Sequence, residues 1–86
     1  MGIAERLKWA RETAGFSQKK LAAAAGMLSD GPVRHLESGF TQTIVVKSAV
    51  ALSDVLGCSV GWLLTGEGDA PTEDSLRALR EAGAAE

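Results

Sequence analysis

The sequence predicts an all-α domain built from six short helices. Apolar residues recur at intervals of three or four along most of the chain, which is the spacing of one helix face. Glycines stand where these stretches end, as expected for helix termini. The β-branched run Thr43-Ile44-Val45-Val46 is too short to form a paired strand. A chain of 86 residues has the size of one small domain.

The first two helices are separated by a predicted turn at Gly15. The first helix begins at Ile3, and its inward face consists of Ile3, Leu7, Ala10 and Ala14. Gly15 is expected to end it in a left-handed conformation. Ser17 caps the second helix, predicted over residues 18–25, because its hydroxyl can accept a hydrogen bond from a free N–H group of the first turn. Gly26 ends this helix.

The third helix is predicted to run from Asp30 or Gly31 to Ser38 and to end at Gly39. Pro32 suits a first helical turn because its backbone angle is already helical and its missing N–H has no partner there. If Pro32 starts the helix, either Gly31 or Asp30 is the cap. We expect Asp30 to act as that cap.

The fourth and fifth helices follow with their own start and stop signals. Thr41 or Thr43 can cap the fourth helix, which Gly57 ends. Its predicted inward stripe is Val45, Ala49, Leu52 and Leu56. Ser59 caps a short fifth helix over residues 60–64, in which Trp62 is expected to be a core residue.

The C-terminal part contains a linker and a last helix. Residues 65–71 are rich in glycine and end at a proline, which is typical of a linker. Thr72 can cap a sixth helix that extends to about Ala82. Leu76 and Leu79 form either the seam of a dimer or the apolar side of a weak amphipathic tail.

The charge is unevenly distributed along the chain. Residues 1–50 hold seven Lys/Arg and four Asp/Glu, a net charge of +3, whereas residues 51–86 hold two and seven, a net charge of −5. The basic half is compatible with a nucleic-acid partner. No apolar run is long enough to span a membrane, so we expect a cytoplasmic protein. One cysteine and one histidine exclude an internal disulfide and predict no metal or cofactor.

The outward face of the third helix carries the chemistry of interest. Val33 and Leu36 are expected to point inward, which leaves Arg34, His35 and Ser38 pointing outward. Arginine can donate to both acceptors of guanine, and histidine can donate to guanine N7 or to a phosphate. The same spacing occurs in many helical hairpins, so the residues alone leave other functions open.

Polar and basic groups near the second helix could bind the phosphate backbone. The start of that helix, at Ser17 and Gln18, would face a phosphate. Lys19, Lys20 and Lys47 would add electrostatic attraction.

The sequence resembles the lambda-repressor-like, Xre-type helix-turn-helix family over residues 3–66. The matching segments are IAERLKWARETAGFSQKKLA, VRHLESG and ALSDVLGCSVGWLLTGEG. The resemblance implies a compact five-helix DNA-binding domain, which we place at residues 1–66. The residues after it, 67–86, are the predicted linker and the acidic amphipathic helix or tail. The resemblance also implies a transcriptional regulator, commonly a homodimer on a palindromic operator in double-stranded DNA.

The resemblance assigns roles to individual positions. Gln18 matches the glutamine that contacts the DNA backbone, and Ser29 matches the usual cap of the recognition helix. Arg11 and Glu37 match an ion pair that joins the first and third helices. The predicted DNA-binding residues are Ser17, Gln18, Lys19, Ser29, Asp30, Gly31, Arg34, His35, Ser38, Thr41 and Lys47.

The turn between the second and third helices departs from the family pattern. Gly26-Met27-Leu28-Ser29 contains one residue more than usual. We expect Met27 or Leu28 to fill the core position that a single valine usually takes. The other is expected to lie against a neighbouring helix or a partner subunit.

Two functions from different classes compete. The first is a DNA-binding repressor that acts as a homodimer. The alternative is an antitoxin or a protein-interaction module that keeps the fold with weak or lost DNA binding and binds a protein through its acidic C-terminal half. An enzyme is not expected, because the sequence contains no nucleophile–base pair and no phosphate-binding loop.

Overall fold

The computed structural model describes residues 2–40 and 44–82, and the regular secondary structure in these two segments consists of α-helices alone. The six helices are α1 (Ile3–Thr13), α2 (Gln18–Ala24), α3 (Gly31–Ser38), α4 (Val46–Leu56), α5 (Val60–Thr65) and α6 (Glu73–Glu81). The prediction of an all-α fold is confirmed.

Three helices begin at the predicted side-chain caps. The hydroxyl oxygens of Ser17, Ser59 and Thr72 each accept a hydrogen bond from a backbone N–H in the first turn of α2, α5 and α6, at a distance of 3.0 Å. α3 ends at Gly39, which adopts a left-handed conformation with φ of 80°. A side chain would be strained there, so the glycine lets the chain leave α3 directly.

The start of α4 differs from the prediction. The N-cap position is occupied by Val45, whose side chain makes no cap hydrogen bond, while the predicted caps Thr41 and Thr43 lie outside the described residues. Val45 was also predicted to point inward, but it is 68% exposed. Its backbone is extended, with φ of −66° and ψ of 144°. It therefore precedes the helix and does not follow the inward stripe, which Ala49, Leu52 and Leu56 form as predicted.

The hydrophobic core forms around α1, which packs against α3, α5 and α6. Leu7 on α1 is completely buried, and Trp62 on α5 is a core residue as predicted. Leu76 on α6 is also completely buried, and Leu79 packs against the same core. These leucines therefore cover the core of their own chain, which argues against a dimer seam formed by Leu76.

Arg6 is a buried residue that the helical pattern did not reveal. Its Nε donates to the carbonyl oxygen of Leu63 at 3.1 Å, which ties α1 to α5. Trp9, one turn further along α1, packs edge-on against Trp62 with ring centroids 6.1 Å apart. Both contacts join α1 to α5.

Candidate nucleic-acid interface

The α2–α3 hairpin is held on α1 by an ion pair between Arg11 and Glu37. Arg11 Nε and Nη2 donate to Glu37 Oε2 and Oε1 at 2.7 and 2.8 Å. Arg11 Nη1 also donates to the carbonyl oxygen of Phe16 at 2.8 Å. The hydrogen bonds that Arg11 donates to Glu37 raise the pKa of Arg11, although burial opposes this shift. The charged groups satisfy each other, so α3 is fixed in orientation on α1.

The start of α2 is connected to the same ion pair. Gln18 Nε2 donates to Glu37 Oε1 at 3.2 Å. An amide nitrogen carries two N–H groups, so the second remains for another acceptor. The contact fixes the side chain that the family resemblance assigns to the DNA backbone.

α3 has one buried face and one exposed face, as predicted. Val33 and Leu36 are buried in the core, whereas Arg34, His35 and Ser38 are exposed. The Ser38 hydroxyl donates to the carbonyl oxygen of His35 at 3.0 Å and accepts from the N–H of Phe40 at 3.2 Å. The rings of His35 and Phe40 lie 5.0 Å apart. The exposed face of α3 therefore ends in an ordered group of side chains.

The expected cap at Asp30 is not formed by its side chain. Asp30 occupies the N-cap position of α3, but its carboxylate makes no cap hydrogen bond and accepts instead from Arg34 Nη1 at 3.0 Å. Its ψ is 0°, whereas a capping residue is usually extended. Pro32 also removes one of the N–H groups that a cap would bind. Ser29, which the resemblance assigns as the cap, precedes this position.

Met27 and Leu28, in the longer turn, have opposite environments. Met27 is partly buried and packs against the core, as expected for one of the two residues. Leu28 is fully exposed, so the expectation that it packs on a neighbouring helix of the same chain is wrong. Leu28 lines two neighbouring surface grooves, one of which is also lined by Lys19 and the other by Lys47.

The predicted site residues lie on three helices and on the turn between α2 and α3. Ser17 begins α2, Lys19 is exposed in its first turn, and Lys47 is exposed in the first turn of α4. Ser29 and Gly31 flank Asp30 at the start of α3. Thr41 lies outside the described residues. In the segments that the structure covers, no group of acidic, histidine and cysteine side chains could hold a metal ion.

The family model described as "Helix-turn-helix" matches residues 7–63, which is more than half of the chain. The chain belongs to this family of Xre-type, lambda-repressor-like helix-turn-helix proteins. No solved structure matches the chain.

Membership makes this helix-turn-helix protein a DNA-binding regulator in the general sense. The matched residues contain α2, the turn, α3 and most of the core that orients them. None of the helices within residues 2–40 and 44–82 is long and apolar enough to cross a membrane.

Sequence reasoning missed the pairing of Asp30 with Arg34. The signal was present, because an acidic residue four positions before an arginine on a helix is a favourable pair. The pair was not predicted because the Asp30 carboxylate was expected to accept a hydrogen bond from a backbone N–H of α3 instead.

Proposed function

We propose that this helix-turn-helix protein is a sequence-specific transcriptional repressor that binds a palindromic operator as a homodimer, with α3 in the major groove. The observation that carries the proposal is that α3 has one buried apolar face and one exposed polar face. Its inner face is buried and locked to α1, while Arg34 and His35 stand exposed on the outer face. A rigid helix with polar outward side chains is what a groove-reading element requires.

The residues have different roles in this proposal. Arg34 and His35 contact base edges, because a guanidinium and an imidazole can donate to the acceptors of guanine. The remaining residues contact the sugar–phosphate backbone or lie close to it and fix the register. They are Ser17, Gln18, Lys19, Ser29, Gly31, Ser38, Thr41 and Lys47.

A homodimer follows from the size of α3. A helix of 8 residues is about 12 Å long and can contact only a few base pairs. Two copies of α3, about 34 Å apart on one face of the duplex, would double the length of sequence recognised. An occupied operator then blocks access to the promoter. A protein with this task acts where the chromosome is, so we assign it to the cytoplasm.

The proposal is tested by in vitro selection of DNA sequences with the full chain, followed by fluorescence anisotropy on the selected duplex. We expect a palindrome and a stoichiometry of two chains per duplex. Between about 50 and 300 mM salt, affinity should fall with a log–log slope near −0.9 per phosphate contacted, for about three to five contacts per protomer. An absence of binding at the lowest salt concentration would contradict the proposal.

One observation favours the second candidate, an antitoxin or protein-interaction module. Phe40, just after α3, and Val45 and Val46, at the start of α4, are largely exposed, and large exposed apolar side chains can mark a protein interface. The acidic C-terminal half would then attract a basic partner. The same DNA-binding experiment separates the repressor from a pure interaction module, which should select no DNA sequence. An antitoxin would bind both DNA and a protein partner.

A further inference from the structure

The exposed face of α3 carries an ion pair of its own. Arg34 Nη1 donates to Asp30 Oδ1 at 3.0 Å, one helical turn earlier. Within residues 2–40 and 44–82 this is the only hydrogen bond that the Arg34 guanidinium makes. Most of the guanidinium N–H donors therefore remain available to a ligand.

The fold does not require this pair. The Arg34 side chain is 55% exposed and that of Asp30 is 31% exposed, and exposed pairs of this kind contribute little to stability. The Asp30 carboxylate does not cap α3 either. A negative charge at this position would also be repelled by phosphate groups. Its presence on a DNA-binding helix therefore calls for a role in recognition.

We infer that Asp30 is a positioning residue that sets the base specificity of Arg34, an inference that rests on the proposed function. A guanidinium held at one nitrogen by a carboxylate loses less conformational freedom when it binds. Its remaining N–H groups can still donate to O6 and N7 of guanine. Asp30 thereby favours the duplex that offers guanine at the correct position.

The carboxylate also weakens binding to every other sequence. Phosphate groups repel Asp30 on any duplex, but only the correct base engages the oriented Arg34. Asp30 thus increases the difference between specific and non-specific affinity while lowering overall attraction. An ordinary phosphate-binding or purely structural residue would not have these two opposite effects.

The test compares full-length variants on three duplexes: the selected operator, the operator with the Arg34-contacted guanine replaced, and a scrambled sequence. The variants are Asp30→Ala, Asp30→Asn, Arg34→Ala and the double variant Asp30→Ala/Arg34→Ala. Asp54→Ala serves as the control, because it removes one exposed acidic charge on α4. Thermal unfolding of each variant verifies that the fold is retained.

We expect Asp30→Ala to bind the scrambled duplex about two- to fivefold more tightly and to lose roughly tenfold discrimination at the guanine. Asp30→Asn keeps an acceptor oxygen and should lose less discrimination. In the Arg34→Ala background, Asp30→Ala should leave discrimination unchanged, because the two residues act as one unit. Asp54→Ala should leave discrimination unchanged.

Two results would overturn the inference while leaving the proposed function intact. The first is a loss of discrimination in Arg34→Ala with none in Asp30→Ala. The second is an effect of Asp30→Ala that persists without Arg34, which would mean that Asp30 contacts a base by itself. Failure of the unaltered chain to bind any duplex would overturn the proposed function, and this inference with it.

Discussion

Each face of α3 takes part in an ion pair between an arginine and a carboxylate, but one pair is largely buried and the other is exposed. On the inner face, Arg11 and Glu37 form two hydrogen bonds, with side chains only 12% and 4% exposed. On the outer face, Arg34 and Asp30 form one hydrogen bond, with side chains 55% and 31% exposed. One pair joins α3 to another helix, whereas the other lies within a single turn.

This difference shows that burial determines what an arginine–carboxylate pair does. A buried pair must remain closed, because an unpaired charge away from water is costly, so it holds the helix in place. An exposed pair can open at little cost, so its arginine remains available to a ligand. The following predictions test the same contrast between buried and exposed side chains, first for the two ion pairs and then for other residues, beginning with the largest effect.

Breaking the inner pair should cause the largest loss of stability. Glu37→Gln removes the negative charge and leaves Arg11 partly buried without a charged partner, which should lower the free energy of unfolding by about 2–4 kcal/mol. Urea denaturation followed by circular dichroism measures it. The matched control is Glu73→Gln, which breaks the exposed pair with Arg77 on α6 and should cost less than about 0.5 kcal/mol. Equal losses in the two variants would remove the distinction between buried and exposed pairs.

Removing the outer arginine should affect binding and not stability. Arg34→Ala should weaken binding to the selected operator by about 1–3 kcal/mol and relax the preference at one guanine. Its urea midpoint should stay close to that of the unaltered chain, because the side chain is exposed. Arg77→Ala, which also removes an arginine from an exposed pair, is the control for net charge. A loss of specificity in both variants would mean that overall charge, not Arg34, carries the effect.

The two apolar residues of the turn should respond differently to the same truncation. Met27→Ala should lower the free energy of unfolding by roughly 1–2 kcal/mol, because the residue is partly buried against the core. Leu28→Ala should leave monomer stability nearly unchanged, since the side chain is fully exposed. Sedimentation adds a second measurement: weaker self-association of Leu28→Ala would place this residue at a contact between two chains. A large loss of stability at low protein concentration would contradict its exposure.

The smallest effect concerns the thiol of Cys58, which is partly buried against the core. Burial raises the pKa of the Cys58 thiol above its ordinary value of 9.0, although a hydrogen bond with Ser53 opposes the shift. The folded state therefore holds this proton more tightly, and the associated stability is complete below pH 9.0 and declines as pH rises through the folded pKa. Compared with Cys58→Ala, the unaltered chain should lose slightly more stability above that pH. A constant difference between the two chains from about pH 7 to 10 would show that the thiol is not desolvated.

Local sequence signals predicted most of the helices and the two faces of α3. Ser17, Ser59 and Thr72 begin helices because capping depends on a side chain and the first turn that follows it. Val33 and Leu36 are buried because helical spacing alone places them on one side. These features need only interactions between residues close in sequence. The start of α4 was missed, because the threonines offered a plausible cap and the backbone began the helix after Val45.

Some side chains had more than one possible contact partner, and only the tertiary structure decided which partner each of them contacts. Leu76 could have faced another chain, but α6 packs on α1 and buries it. Arg6 was not among the predicted inward residues of α1, yet it is buried and its Nε donates to the carbonyl oxygen of Leu63, 57 positions away. Asp30 had two acceptable partners within one turn, and Pro32 together with the local backbone conformation left Arg34 as the one it pairs with. Periodicity and capping act over a few residues and can be predicted from sequence, whereas the choice between competing partners depends on how separate helices pack.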